Sequence, residues 1–592
     1  MISKVRWVLK FVRKNGVFSF IQHYLNVKCH TEEKDYNWWR KRCSLRERRL
    51  EIRDITRFKE KPLISLLVFL DYNEINNVKK LIKIIQSQTY ENWELYLIDR
   101  NERRETKDSI LSEKMKMDKR IKLFEIDSHL SVVGSINCAL RNVTGEFVSL
   151  INCTDLIETN TLYEFVKAIN RCPEIDFLYS DEDMISEDGK KYFFPHFKSD
   201  YNIDLLRSVN YIGHMFLVRR RLQNKAGMLC EDLYKEYEYD FILRCVEKCE
   251  IVEHIPQILY HKRVINSTVN NLKNSDDEKL KVISMHLNRC GLKGYVNTVA
   301  NSEICRIRYL VENQPLISII IPNMDHIEDL KRCIKSLFEI SEYYNFEIII
   351  VENRSVEKKT FAYYKDLLNR YKNVKILVWS KNDVFNYSAL NNFGVKCSRG
   401  KYILFLNNDT EIINKDCISE MVSHIVRKEV GGVGARLYYP DGSIQHAGVI
   451  LGLGGIAGHA FRGEEHYSKG YFSRIQCTQN YSAVTAACMM VSKELFEKVG
   501  GFDEKLKVAF NDIDLCMKIR KQGKLIVYTP YAELYHYESK SRGLEDTEEK
   551  IQRFRGEVQY FEKKWKKELE TGDPYYNPNL TLEKSDFSLR FV

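Results

Sequence analysis

Long apolar runs alternate with helix-like patterns along most of this chain, and the alternation occurs twice. Residues 63–70 and 316–321 are nearly uninterrupted apolar stretches, which predicts strands buried on both faces of a parallel sheet. Apolar residues at helical spacing follow each stretch, at Val78, Leu81, Ile82 and Ile85 and at Leu330, Ile334, Leu337 and Phe338. Strands that alternate with helices indicate an α/β protein with open parallel sheets.

Short motifs also recur in the same order. Residues 62–65, 145–148, 238–240 and 260–261 are echoed by residues 315–318, 400–403, 512–514 and 535–536. We therefore predict two copies of one domain. The predicted organisation is a basic helical arm over 1–60, a first domain over 61–305, a second domain over 306–570 and a C-terminal tail over 571–592.

Composition excludes several classes of protein. The chain has 592 residues, of which 44% are hydrophobic and 29% charged, as in soluble globular proteins. No run reaches the roughly 18 apolar residues of a membrane span. The 16 cysteines include no C-x-x-C pair, which excludes metal-finger spacing and favours reduced thiols in a cytoplasmic protein.

Basic residues concentrate in the first sixty positions, although the net charge is only +10. Ile2, Val5, Leu9 and Val12 fall on one helical face with basic neighbours, and charges interrupt every apolar run, unlike in a signal peptide. One interpretation is an amphipathic helix on the inner face of the cell membrane. The other is a helix packed on the first domain. No recognition motif accompanies the charge, so we expect no nucleic-acid partner.

Three polar groups of the second repeat are candidates for chemistry. Asp409 follows a predicted buried strand and can hold a hard divalent cation, although Asn and Asp also favour plain turns. Asp512 can act as a general base or cap a helix. His536 precedes a basic segment over 539–543 that suits a loop closing over a diphosphate, whereas a lone His is more often structural.

Together with their neighbours, these groups resemble the family-two glycosyltransferases of the GT-A fold, the nucleotide-diphospho-sugar transferase fold, which is Rossmann-like. The likeness is dense over about 315–545, and it is greatest to the bacterial branch that builds rhamnose-rich and O-antigen-type surface polysaccharides. The matching stretches are 322–326, 352–355, 385–392, 406–411, 500–503, 511–516 and 536–543.

The resemblance implies a role for each of these residues. Asp409 stands at the metal-binding Asp of the D-x-D motif, with His536 near the same Mg²⁺ or Mn²⁺, and Asp512 stands at the catalytic base. The reaction that the family carries out is a single inverting displacement at the anomeric carbon. Donor contacts are implied for Glu352, Asn353, Asn386, Asn391, Asn407 and Asn408.

The first repeat resembles the same family over about 62–264, but its metal loop is altered. Thr154 stands where the metal-binding Asp is expected, and a hydroxyl is a poorer ligand for a hard cation; a one-residue shift brings Asp155 to this place instead. We favour a weakened or non-catalytic first domain that grips the acceptor. An active one would add a second sugar. Its candidate site residues are Asp99, Asn152, Asp155, Asp181, Asp183, Glu238, Asp240 and His261.

The predicted function is therefore metal-dependent, inverting transfer of a sugar from a nucleotide-diphosphate donor to a surface glycan, with a lipid-linked glycan as the expected acceptor. Two alternatives remain. One is transfer to a protein such as a flagellar or surface subunit, and the other is a non-catalytic scaffold that binds sugar nucleotides or glycans. The intact Asp409, Asp512 and His536 argue against the scaffold in the second repeat only.

Overall fold

The computed structural model describes nine stretches of the chain, and the two predicted repeats fall within them. The N-terminal residues expected to lie on a membrane and the basic segment at 539–543 lie outside the described residues. Within the described part, no helix is both long enough and apolar enough to cross a membrane. The stretches are 36–42, 57–71, 74–100, 117–127, 129–264, 275–300, 302–379, 385–537 and 547–590.

The first repeat forms one mixed sheet with helices around it. Its strands are β1 Ile64–Phe69, β2 Trp93–Asp99, β3 Ile121–Glu125, β4 Phe147–Asn152, β5 Leu156–Ile157, β6 Phe177–Ile185, β7 Tyr192–His196, β8 Phe216–Arg219 and β9 Val252–Arg263. Its helices are α1 Ile75–Gln86, α2 Val132–Asn142, α3 Thr161–Arg171, α4 Ile203–Ser208, α5 Arg220–Ala226, α6 Tyr237–Val246 and α7 Ser275–Arg289. A hairpin of β10 Gly294–Thr298 and β11 Cys305–Tyr309 leads to the second repeat.

The second repeat builds another mixed sheet and a separate antiparallel pair. The strands of the mixed sheet are β12 Ile317–Asn323, β13 Phe346–Glu352, β14 Val374–Val378, β15 Tyr402–Leu406, β16 Thr410–Ile412, β17 Val430–Tyr438, β18 Ile444–His446, β21 Gln479–Asn480, β22 Cys488–Ser492 and β23 Leu525–His536. The pair consists of β19 Val449–Leu451 and β20 Ala457–His459. Its helices are α8 Ile327–Glu339, α9 Lys358–Arg370, α10 Tyr387–Lys396, α11 Cys417–Ile425, α12 Lys493–Lys498, α13 Asn511–Lys521, α14 Glu548–Lys564 and α15 Lys566–Thr571.

The two sheets have the same topology. The first runs β3-β2-β1-β4-β8-β6-β9-β5, and the second runs β14-β13-β12-β15-β22-β17-β23-β16. In each, the opening strand pairs in parallel with the strand after the first helix, as β1 does with β2 and β12 with β13. These sheets confirm the predicted α/β class with a repeated domain.

A buried carboxylate braces the base of each sheet in the same way. Glu94 accepts from the Ser65 hydroxyl at 2.6 Å and from the Lys122 ammonium at 2.6 Å. Glu347 accepts from Ser318 at 2.7 Å and from Lys375 at 2.9 Å. Although burial opposes it, these donors lower the pKa of both glutamates to about 2. The repeats therefore share a polar scaffold as well as an apolar core.

A buried ion pair joins the two domains. The Arg427 guanidinium of the second domain donates to both carboxylate oxygens of Asp204 in the first, at 2.6 and 3.0 Å. Residues after α15 lie against both domains: Asn577 donates to Asp181 at 2.8 Å, while the backbone of Leu451 donates to Asp573 at 2.7 Å. The described domains thus pack through buried polar contacts.

Candidate active site

The turn after β15 brings a carboxylate and an imidazole together in the second domain. Pairing of β16 with β23 sets Thr410 opposite His536, so that Asp409 stands beside the histidine ring. Asp409 Oδ1 lies 3.2 Å from His536 Nε2, and Asn407 Nδ2 lies 3.2 Å from the same nitrogen. Asp409 and His536 are only 5% and 7% exposed. Three of the predicted residues are therefore in contact.

Gln445, which the sequence did not point to, fixes the histidine ring. His536 Nδ1 lies 2.6 Å from the Gln445 side-chain oxygen. An amide oxygen only accepts hydrogen bonds, so Nδ1 carries the proton. In a neutral ring, Nε2 then keeps a lone pair, which accepts from Asn407 Nδ2 and lies beside Asp409. A lone pair held in this way by an outer hydrogen bond is typical of metal-ligating histidines.

Asn408 and Glu352 belong to a chain of hydrogen bonds that builds the neighbouring loop. Asn408 donates to Asn323 at 2.7 Å, and Asn323 donates to Tyr364 at 2.8 Å. The Tyr364 hydroxyl donates to Glu352 at 2.5 Å. Glu352 also accepts from the Ser355 backbone at 2.5 Å and from its hydroxyl at 2.8 Å. Its carboxylate therefore shapes the loop over 352–355.

Asn353 has unused hydrogen-bonding capacity beside that chain. Its backbone N–H donates to the Asn323 carbonyl at 2.8 Å, and the residue is buried. Among the described residues, its side-chain Nδ2 has no hydrogen-bond partner. A buried amide without a partner is costly, so this group is available to a ligand.

The other two residues that were predicted to contact the sugar donor, Asn386 and Asn391, stabilise helix α10. Asn386 caps the helix by accepting from the Ala389 N–H at 3.0 Å, and its Nδ2 donates to the Glu504 carbonyl at 2.9 Å. Asn391 is fully buried and donates to the Tyr387 carbonyl at 2.9 Å. Both side chains have structural partners near the Asn407 turn, because Tyr387 also lies 3.4 Å from Asn407 Oδ1.

Asp512 lies in the first turn of α13 and approaches the same turn through the chain segment 486–487. Its Oδ2 accepts from the Ala486 N–H at 3.1 Å. The next residue, Ala487, accepts at its carbonyl from the Asn407 N–H at 3.0 Å. Asp514 instead faces the C-terminal helices, where Trp565 Nε1 donates to it at 2.8 Å. Of the two carboxylates in this motif, Asp512 is therefore the one beside the Asn407 turn.

The first domain has the one-residue shift that the sequence allowed. Leu156 pairs with His261 as Thr410 pairs with His536, so Asp155 takes the position of Asp409. Asn152 and Thr154 bond to each other, because Asn152 Oδ1 accepts from the Thr154 N–H at 3.1 Å.

Asp155 is nevertheless engaged differently from Asp409. It accepts from the Tyr260 hydroxyl at 2.7 Å and from the Arg263 N–H at 2.9 Å. Burial raises the pKa of its carboxyl. A buried carboxyl that is easier to protonate is a poorer ligand for a hard cation.

His261 is surrounded by carboxylates of its own domain. Its Nδ1 lies 2.5 Å from Asp183 Oδ1, and its Nε2 lies 3.1 Å from Glu158 Oε1. Although burial opposes it, these two carboxylates raise the pKa of His261 to about 9. The ring is therefore charged at neutral pH and offers no lone pair to a metal.

The remaining first-domain candidates separate into distinct contacts. Asp181 is buried against His254 Nε2 at 2.8 Å, and Asp240 pairs with Arg244 at 2.8 Å. Glu238 lies 3.2 Å from His214 Nδ1 at the position equivalent to Asp512. Asp99 ends β2 and is buried; most of the loop after it lies outside the described residues.

One further set of metal-ligating groups occurs in the described chain, at Glu247, His286 and Cys290. Arg289 pairs with both oxygens of Glu247, and Arg207 donates to His286 Nε2 at 3.1 Å. Because Nε2 accepts that bond, the proton on the ring lies on Nδ1, which donates to Glu247 at 2.7 Å. The Glu247 carboxylate and the His286 ring thus already have arginine hydrogen-bond partners in place of a metal ion.

Comparison with known proteins identifies the family of this chain. The profile described as "Glycosyl transferase family 2" matches residues 71–226 and 318–500. The chain belongs to glycosyl transferase family 2. The resemblance found in the sequence is thereby confirmed, and both repeats carry the family signature.

Two relatives of this family 2 chain match nearly all of it. Uncharacterized protein y4gI of Sinorhizobium fredii is 39% identical over 93% of the chain and 61% of its own length. O-antigen biosynthesis protein RfbC of Myxococcus xanthus is 33% identical over 90% of the chain and 42% of its own length. The chain thus spans less than two thirds of either relative.

A solved structure also aligns with this family 2 chain. The mannosyltransferase PcManGT of Pyrobaculum calidifontis, in complex with GDP-Man and Mn²⁺, is 12% identical and covers 42% of this chain and 65% of its own, with a TM-score of 0.31.

Proposed function

We propose that the second domain transfers a sugar from a nucleotide-diphosphate donor to a hydroxyl of a growing surface glycan, with inversion at the anomeric carbon. The observation that carries the proposal is the contact between Asp409 and His536, with Asp512 bonded to the segment 486–487 that also bonds to the Asn407 turn. Family membership supports the reaction class, and the name of the Myxococcus relative, O-antigen biosynthesis protein, supports the acceptor class.

Asp409 and His536 are the residues that would hold Mg²⁺ or Mn²⁺. They fit such an ion because a carboxylate oxygen and an imidazole nitrogen with its lone pair face each other 3.2 Å apart. Two protein ligands are enough where donor phosphates supply the others. When bound, the ion would neutralise charge on the departing diphosphate.

Asp512 is proposed as the general base. It is partly exposed, and the Ala486 and Ile513 backbone amides hold its carboxylate at 3.1 and 2.9 Å. In the reaction it takes the proton of the acceptor hydroxyl, whose oxygen bonds to the anomeric carbon. The bond from that carbon to the diphosphate oxygen breaks, and the nucleoside diphosphate leaves.

The donor nucleotide is proposed to lie along the loop over 352–355. The buried Nδ2 of Asn353, which has no hydrogen-bond partner among the described residues, would donate to a carbonyl or ring nitrogen of the base. Glu352 and Asn408 hold the loop through Tyr364 and Asn323, so we assign them a positioning role. Asn386 and Asn391 position α10 in the same way.

The acceptor is proposed to be a lipid-linked glycan on the cytoplasmic side of the cell membrane, reached by a peripheral contact. The peripheral contact can be tested by deleting residues 1–30, which lie outside the described chain, and measuring the amount of protein in the membrane pellet and in the supernatant. The peripheral contact predicts a shift to the supernatant, and an unchanged distribution contradicts it.

The reaction is tested directly with the purified full chain. A set of nucleotide sugars is incubated with Mg²⁺, Mn²⁺ or a chelator, and the released nucleoside diphosphate and the glycan product are measured by mass spectrometry. We expect turnover of at least one donor that the chelator abolishes. Tight donor binding without turnover across several acceptors would contradict the proposal and favour the scaffold.

A further inference from the structure

A short helical piece of the N-terminal region lies in the first domain. Residues 36–42 are helical. Tyr36 is 1% exposed and donates its hydroxyl to Asp183. The Trp39 ring meets Phe197 edge to face, with ring centroids 5.2 Å apart. Asn37 donates to the Tyr192 carbonyl at 3.1 Å. Several independent contacts therefore hold this segment in place.

Arg40 brings a positive charge to the histidine of the first-domain site. Its guanidinium pairs with the Glu158 carboxylate and lies 3.4 Å from His261 Nε2. The same group stacks 3.4 Å over the centre of the Tyr192 ring. A planar guanidinium held by a carboxylate and an aromatic face is a well-ordered cation.

The place that Arg40 occupies has a counterpart in the second domain. His261 and His536 hold equivalent positions, because each pairs with the first residue of the short strand that follows the metal loop. In the second domain the Nε2 of this histidine faces Asp409. In the first domain it faces Glu158 and the arginine.

We propose that Arg40 takes, in the first domain, the place that a divalent cation takes in the second, so that residues 36–42 close the first domain to metal–nucleotide complexes. The inference rests on the cation position proposed above. It assigns one metal–nucleotide site to each chain, in the second domain.

Charge balance supports this assignment. The cluster joins the carboxylates of Asp183 and Glu158 to the cations Arg40 and His261, so its formal charges cancel. A divalent ion entering beside Arg40 would meet two positive groups and would have to displace the guanidinium from Glu158. Without Arg40, Glu158 and Asp183 would leave the cluster with a net negative charge, which attracts a cation.

The test counts Mn²⁺ ions bound per full chain in the presence of UDP, from the electron paramagnetic resonance signal of free Mn²⁺. The proteins are wild type, Asp409→Ala, Arg40→Ala, Arg40→Gln and Arg40→Ala combined with Asp409→Ala. Arg42→Ala is the matched control, because Arg42 is on the same segment but stacks on Trp38 instead.

We expect about one ion in wild type and in Arg42→Ala, and close to none in Asp409→Ala. Both Arg40 variants should gain about one ion, held by the carboxylates of Glu158 and Asp183 and not by the charged His261 ring. The combined variant should keep the gained ion. A count in both Arg40 variants equal to that of Arg42→Ala overturns the inference. A wild-type count that Asp409→Ala does not lower instead contradicts the proposed second-domain site, so the two failures are distinguishable.

Discussion

The two domains share one scaffold and differ where the strands end. Glu94 and Glu347 brace equivalent strands through the same kinds of donors. At the other edge, Asp409 faces an imidazole lone pair, while Asp155 is bound by Tyr260 and Arg263. Core packing and buried hydrogen bonds therefore maintain a fold after its polar edge has changed, and the chemistry of each copy depends on a few side chains.

The largest expected difference between the domains concerns the base position. Replacing Asp512 with Asn should reduce sugar transfer by about 10³-fold, because the acceptor hydroxyl loses its general base. The first-domain counterpart, Glu238→Gln, should leave transfer within about twofold of wild type if that domain is not catalytic. Both rates are measured with saturating donor.

Circular dichroism and Mn²⁺–UDP binding serve as controls, and both should be unchanged in Asp512→Asn. A loss of transfer in Glu238→Gln as large as in Asp512→Asn would break the comparison, since it would give both domains a catalytic base.

The shared scaffold predicts equal effects in the two domains. Glu94→Gln and Glu347→Gln each remove a buried charge that bonds a lysine, and each should lower the free energy of unfolding by about 1–3 kcal/mol. Urea denaturation measures both. The exposed Glu339→Gln, at 63% side-chain exposure, is the control and should change stability by less than about 0.5 kcal/mol. Clearly unequal values for the two buried sites would show that the braces are not equivalent.

Helix caps provide a smaller test. Ser131 caps α2 by accepting from the Gly134 N–H at 2.9 Å, as Asn386 caps α10. Replacing either with Ala should cost about 1 kcal/mol of stability. Only Asn386→Ala should also raise the KM for the nucleotide sugar, because α10 borders the Asn407 turn. The same KM for both variants would remove the positioning role of Asn386.

The smallest predicted difference is a pH effect on the first domain. His254 and His261 have folded-state pKa values of about 9, above the ordinary 6.5, because neighbouring carboxylates outweigh burial. Their stabilisation is complete below about pH 6.5 and is lost as pH rises through about 9. Hydrogen exchange at pH 9.5 should therefore speed up in β6 and β9, after correction for intrinsic rates, more than in β17 and β23. Equal acceleration in both domains would contradict this.

The sequence predicted the elements and the repeat because both follow from local pattern. The apolar runs at 63–70 and 316–321 became β1 and β12, and the motifs that recur in the same order, with offsets that drift by insertion, became two sheets of equal topology. The meeting of Asp409 with His536 was also predictable, since the family resemblance carries both. Strand register could not be predicted from the sequence. It is the register that places Asp155, and not Thr154, at the position equivalent to Asp409.

Contacts between residues far apart in the chain could not be predicted from the sequence, for a physical reason. Gln445 binding to His536, Arg40 reaching His261 and Asn577 bonding to Asp181 all join residues far apart in the chain. No periodicity or spacing records such pairs, because tertiary packing creates them. Polar residues of this kind look like ordinary surface positions until the fold is known.

The ion pair between Asp204 and Arg427 has a practical consequence for dividing this protein into its two halves. A separately expressed half would lose the bonds between these two charges and would expose to water an interface that is buried in the whole chain. Strand β11, Cys305–Tyr309, also spans the predicted boundary between residues 305 and 306, where the chain would be divided. Inactivity of a separate half would therefore not distinguish lost packing from lost chemistry, and point variants in the intact polypeptide are the sound way to ask what each half contributes.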